Sequence, residues 1–159
     1  MANFLEQQEA EKAYETFCEM LDEMEWSYDR DDENLTIKTG ANGDDLPLDI
    51  KVTFNVKLQI CTIFSHLPFK APDEDTVATA VALCATNYNM VDGSFDFDLA
   101  NGNIGFRITT PFRNSVIDKE AYKYLLMICC TTVDRYNDKL LALTKHHISL
   151  DEYIDFTKE

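Results

Sequence analysis

Between Gly93 and Arg107 the chain reads GSFDFDLANGNIGFR. Its spaced Asp and Asn side chains supply the hard oxygen donors that calcium takes, and two carboxylates one strand step apart, Asp96 and Asp98, are a candidate acid/base pair. A calcium loop of the EF-hand type needs oxygen ligands at its first, third and fifth positions, glycine at the sixth and a bidentate glutamate at the twelfth. Counted from Asp96, those places hold Asp98 third, Ala100 fifth, Asn101 sixth and Arg107 twelfth. The template fails where it is most specific, and no His, Cys or further acid inside the stretch completes a metal or catalytic set. No metal, cofactor or catalytic residue is assigned.

The same residues fit the turn of a sheet. Asn101-Gly102 is the strongest short-range signal for a two-residue type I′ hairpin turn, because both central residues need positive φ. That turn sets Leu99 against Ile104, Phe97 against Phe106 and Phe95 against Ile108 on one face. It sets Ser94 against Thr109, Asp96 against Arg107 and Asp98 against Gly105 on the other. Asn101 and Gly102 are then structural, and Asp96, Asp98 and Arg107 are the candidate partner-binding groups. The competing reading is an enzyme or metal-dependent site on the same acids, with Arg107 released from Asp96 to clamp a small carboxylate or phosphate.

Other constellations are weaker. His146 and His147 are adjacent, so they point in different directions, and they read as a polar loop. Asp29 to Asn34, DRDDEN, has the oxygen density of a metal loop but neither glycine nor a closing glutamate, and reads as a solvated turn. Five cysteines, at 18, 61, 84, 129 and 130, form no Cys-x-x-Cys. They are expected to be free, buried thiols in a reducing compartment, with Cys129 rather than Cys130 on the buried stripe of its helix. There is no Ser/His/Asp elbow, phosphate loop or dinucleotide fingerprint.

These residues must be positioned by elements that periodicity reveals. Phe4, Ala10, Ala13, Tyr14, Phe17, Met20, Leu21 and Met24 make a helical stripe ending near Trp26. After a polar break at Asp29 to Asn34, three antiparallel strands follow in meander order. They carry Leu35 to Thr39, Leu48 to Val56 and LQICTIF, with positive φ available at Gly40 and Gly43 in the first turn. Pro68 and Pro72 are expected to break the sheet. Pro72 and the acids after it open a second helix to about Asn89, with Val77, Ala78, Val81, Ala82, Cys84 and Ala85 facing inward. After the hairpin, Ser115 to Asp118 fits a capping box for a long third helix with Tyr122, Leu125, Leu126, Cys129, Thr132, Val133, Tyr136, Leu140 and Leu143 inward. Ser149 to Glu152 fits another box for a short last helix. The expected class is α+β, in the order α-β-β-β-α-β-β-α plus that short C-terminal helix, as one domain over residues 1–159.

Bulk properties narrow the partners. With 29 acidic residues against 14 basic, the net charge is −15, which opposes nucleic acid and anionic membrane surfaces and favours a basic protein. Up to Asn34 twelve acids face only Lys12 and Arg30, a candidate docking surface or a solvated helix face. A chain of 159 residues buries roughly 70% of the surface its unfolded form exposes, so no disulfide or metal is needed to hold it. The start MANFLEQQEAEK has neither basic residues before an apolar run nor a cleavage site, and no 18-residue apolar stretch occurs, so a cytoplasmic location is expected.

Several stretches together resemble the YbjN family: Trp26 after an acidic helix, DLPLDIKV at 45–52, SHLPFKAP at 65–72, ATNYNMVDGSFDFDLANGNIGFR at 85–107 and TVDRYNDKLLAL at 132–143. The resemblance spans about residues 5–156 and is most specific at Asn87, Gly93, Phe95, Gly102 and Arg107. It implies the fold of type III secretion chaperones, an antiparallel sheet packed with helices. It also implies a non-catalytic, chaperone-like or sensory-regulatory module that binds protein and forms a homodimer. KHH at 145–147 departs from the pattern, where the resemblance implies a glycine-containing turn.

Overall fold

The computed structural model describes residues 4–159. Helix α1 (Phe4–Glu23) leads into four successive strands, β1 (Tyr28–Asp31), β2 (Thr36–Asn42), β3 (Pro47–Asn55) and β4 (Ile60–Lys70). A 3-10 turn at Asp73–Asp75 opens α2 (Thr76–Tyr88). Strands β5 (Ser94–Phe97) and β6 (Asn103–Pro111) follow, then α3 (Lys119–Thr144) and α4 (Leu150–Phe156). The strands form a single antiparallel sheet in the order β1-β2-β3-β4-β6-β5.

Alternation along the strands decides which face is covered. Leu48, Ile50, Val52 and Phe54 of β3 are buried, as are Ile104, Phe106 and Ile108 of β6, while Lys51, His66 and Arg107 on the opposite face are exposed. The inner face receives α1 and α3: Phe54 is met edge-on by Tyr14, Phe17 and Tyr122. Phe95 meets Tyr136 of α3, which passes the packing on to Phe156 of α4. A further link ties α4 to α2, the 2.7 Å hydrogen bond between the hydroxyls of Thr86 and Tyr153. Among the described residues, no helix packs on the outer face of the sheet.

The α+β class and the helix order agree with the sequence, and several details do not. The polar stretch after Trp26 contains an extra strand, β1, which pairs Asp29 with Lys38 and Arg30 with Ile37. It has no apolar alternation because it is an edge strand. Its turn is made by the polar residues themselves: the Asp31 carboxylate accepts from the Asn34 N–H and side-chain amide, and Leu35 takes φ 47°. Gly40 lies inside β2, and neither it nor Gly43 has positive φ. The β2–β3 turn is held instead by Asp134 of α3, which accepts from the Asp44 N–H at 2.8 Å. Pro68 sits within β4, whose pairing with β6 shifts register between His66 and Lys70. A bulge there tolerates the missing N–H.

The helices correct other expectations. Phe4 is 75% exposed at the start of α1. On α2 the inward residues are Thr79, Ala82, Leu83 and Thr86, so the face is rotated from the expected one and Val77, Val81 and Cys84 point outward. Cys84 is therefore an exposed thiol, whereas Cys18, Cys61, Cys129 and also Cys130 are buried. Burial pushes the Cys61 and Cys129 thiols up, which keeps them protonated. Ser115 caps nothing at the start of α3; Asp118 is the N-cap and accepts from the Ala121 N–H at 2.8 Å. The Ser149/Glu152 capping box is present as expected.

The end of α3 explains the KHH departure. His147 N–H donates to Ala142 O and His146 N–H to Leu143 O, the paired bonds of a Schellman ending. His146 occupies the left-handed position at φ 57°, where glycine is favoured. Its Nε2 lies 3.1 Å from the Asp75 carboxylate.

Candidate functional site

The hairpin that carries Asp96, Asp98 and Arg107 closes one edge of the sheet. Its register is two residues away from that of a two-residue turn: Ser94 faces Arg107, Phe95 faces Phe106, Asp96 faces Gly105 and Phe97 faces Ile104. A shift by two keeps every side chain on its expected face. The reason lies in Asp98. Its N–H donates to Asn103 O, its carbonyl accepts from Gly102 N–H at 2.8 Å, and its carboxylate accepts from the Ala100 N–H and from the Asn101 amide. An Asx-type turn thus lengthens the loop to Leu99–Gly102. Only Gly102 in that loop takes positive φ, 75°, and a Cβ there would strike the carbonyl oxygen of Ala71. Leu99, expected in the apolar row, is exposed in the loop.

Asp96 and Arg107 are partners, but diagonally and not directly across. Arg107 Nε and Nη2 donate to the two Asp96 oxygens at 2.6 and 3.0 Å, a bidentate pair. The carboxylate holds the guanidinium pKa above its usual value. Both side chains remain well exposed, so the pair is worth only ~0.2–1 kcal/mol.

The other residues singled out in the sequence are explained by how β5 is anchored. Asn87, on α2, accepts from the Phe95 N–H at 2.8 Å and donates to the Phe95 carbonyl at 3.0 Å. Its amide stands where a neighbouring strand would, and satisfies the backbone groups that β6 does not take. Gly93 enters the strand at φ 74°, and a Cβ there would meet the ring of Phe106. Asn87, Gly93, Phe95, Gly102 and Arg107 are therefore parts of a single device that closes this edge.

Two surfaces flank the hairpin. On the helix side, Val77, Val81, Cys84 and Tyr88 recur at spacings of four, three and four along the outer face of α2. Val77 is 76% and Tyr88 89% exposed. Beside them an open groove of ≈ 590 Å³ runs between α2 and the hairpin, lined by Leu83, Phe95, Phe97 and Leu99. On the outer face of the sheet, a hollow of ≈ 200 Å³ lies among Phe64, His66, Asp96, Asp98, Asn103 and Gly105. His66 is the residue that sequence reasoning missed. It comes from β4, thirty positions before Asp96, and only the strand order β4-β6-β5 brings it beside the hairpin acids. Among the described residues, no three His, Cys, Asp or Glu side chains stand together so as to hold a metal ion.

Comparison with known proteins rests on the fold. No family model matches the chain, and no curated protein matches it. Solved structures do. A chain of the ExsC–ExsE complex superposes with a TM-score of 0.59 at 11% identity, over 81% of this chain and 93% of that one. YbjN from E. coli gives 0.59 at 13% identity, over 84% and 92%. A chain of the HopA1–SchA chaperone–effector complex gives 0.54 at 11% identity, over 83% and 97%. The chain has the type III secretion chaperone-like fold. The architecture implied by the sequence resemblance is thus the one observed; here the sheet ends in the acidic edge strand β1, and α2 presents an exposed apolar row.

Proposed function

We propose that this protein is a non-catalytic binding module, chaperone-like or regulatory, that holds a partner polypeptide and works as a homodimer in the cytoplasm. The observation that carries the reading is the uncovered apolar row of α2. Four residues on one helical face with no covering element are what a helix shows when its second neighbour is another chain. Two of the structural neighbours come from complexes, one of them a chaperone with its effector. The net charge of −15 favours a basic partner, and among the described residues no helix is long and apolar enough to cross a membrane. Asp96, Asp98 and Arg107 border the surface on which the partner lies, and a second copy covers α2.

An enzyme reading draws little support from the site. Asp96 is neutralised by Arg107, Asp98 is held in place by its turn, and the hollow beside them is smaller than the ≈ 300–1,000 Å³ of ordinary ligand pockets. Light scattering on the purified chain tests the dimer: twice the monomer mass of 18.2 kDa is expected, with V81D/Y88D reverting to monomer. Affinity purification at low salt from the cells that make the protein tests the module. A polypeptide recovered in fixed stoichiometry is expected, and its absence contradicts the reading.

A further inference from the structure

The hollow on the outer face of the sheet has a composition that the hairpin's structural duties do not use up. The Phe64 ring leans over Gly105, the residue across from His66, whose missing side chain is what admits the ring; a Cβ at 105 would overlap it. The Phe64 ring meets the His66 imidazole edge-on, with centroids 4.4 Å apart, so the two rings form one wall. Arg107 is the residue directly across from Phe64 in the register, and a cation there would ordinarily lie over the ring. It turns instead to Asp96, and Phe64 remains among the residues that line the hollow. The opposite wall holds the carboxylates of Asp96 and Asp98. Each of the four oxygens already accepts one hydrogen bond, yet a carboxylate offers about four lone-pair sites, so each oxygen keeps room for a second donor. The residues lining the hollow include two carboxylates and neither lysine nor arginine; Arg107 is held by Asp96, and Lys51 lies across Phe64 on the β3 side.

We infer that this hollow receives a basic side chain, arginine or lysine, of the partner polypeptide lying on the open sheet face, stacked on Phe64 and hydrogen-bonded to the Asp96 and Asp98 carboxylates. Its ≈ 200 Å³ fits one such side chain and little more. The face of an aromatic ring attracts a cation, and a carboxylate bonds a guanidinium more strongly than it does a neutral donor. An aliphatic side chain of the same length would fit the space but leave both carboxylates without a new partner. This assignment rests on the binding-module reading and adds to it one named contact.

The test uses the labelled full chain and two small probes, N-acetyl-arginine methylamide and N-acetyl-norleucine methylamide, followed by NMR shifts of the Gly105, Asn103 and Asp98 amides and the Phe64 ring. The arginine probe should shift these signals saturably and bind about tenfold more tightly than norleucine, as befits charge-assisted bonds. Phe64→Leu and Asp98→Asn should each weaken it about threefold or more. Equal response to both probes, or no saturable shift in the wild-type chain, overturns the assignment, and that comparison stands even where a variant unfolds. Failure here with a stoichiometric partner still recovered from cells removes only the contact. Success here with no partner recovered removes the module reading.

Discussion

The two edges of the sheet end in strands of four residues each, β1 and β5, and they are protected from stray pairing by opposite means. Strand β1 reads YDRD and leaves its outer backbone groups to solvent, guarded by charge. Arg30 reaches Glu15 of α1 and Asp32 of the turn and lies over the Tyr14 ring. The Tyr14 hydroxyl donates to Asp32. Strand β5 reads SFDF and is half apolar, and there the protection comes from hydrogen bonds borrowed from Asn87. Charged edges repel an incoming strand, whereas β5, with its Phe95 groups taken by Asn87, has fewer groups left to offer one. The comparison teaches that the hairpin end has been made fit for side-chain contact and not for strand addition. Its neighbours are the uncovered row of α2 on one side and the Phe64 hollow on the other.

The largest effects should come from breaking the covered edge. Gly93→Ala places a Cβ against Phe106 at a left-handed φ, and we expect about 2–4 kcal/mol of lost stability from strain and overpacking, measured by urea unfolding. Next, Asn87→Ala leaves the Phe95 N–H and carbonyl without partners, for about 2 kcal/mol. It should also give concentration-dependent association through the newly opened strand, read by light scattering. If Asn87→Ala were neutral in both respects, the borrowed bonds would not be what closes this edge.

The charged edge should respond more weakly. Arg30→Ala removes two exposed ion pairs and one ring contact, and about 1 kcal/mol or less is expected in the same unfolding assay. Smaller again is the acid response. The Arg30 guanidinium, then the Tyr14 hydroxyl, hold Asp32 below the usual carboxylate range, and the Asn34 amide does the same for Asp31. A carboxylate lowered in the folded state stabilises above its unfolded pKa, and that contribution is lost as pH falls through the folded value. The melting temperature should therefore drop as pH falls below about 4, and the drop should be shallower in Asp32→Asn. An unchanged profile in that variant would place the acid sensitivity elsewhere.

Much of this architecture was legible in the sequence because apolar periodicity is strong in α1, β3, β4 and α3, and because turn and cap chemistry is local. Ser149/Glu152 could be read directly, and so could the faces of Phe95, Phe97, Phe106 and Ile104. Strand β1 could not, since an edge strand selected for charge shows no alternation. The hairpin register was missed because Asn101-Gly102 satisfied a two-residue rule while the Asp98 carboxylate, bonding two and three residues onward, imposed a longer loop. The inward face of α2 was misread for a different reason. Its most apolar stripe, Val77, Val81 and Cys84, is the one left uncovered, and apolar character alone does not say whether the partner is the same chain. The hollow needed topology, because His66 and Phe64 reach the hairpin acids only through the pairing of β4 with β6.

The most direct test of the binding-module account is a quantitative capture from cells that make the protein, comparing wild type with Phe64→Leu at the hairpin end and Arg30→Ala at the charged edge. The account expects one polypeptide in fixed stoichiometry with wild type and with Arg30→Ala, and about threefold or more weaker capture of it with folded Phe64→Leu. No stoichiometric polypeptide with wild type, or loss only with Arg30→Ala, would contradict it.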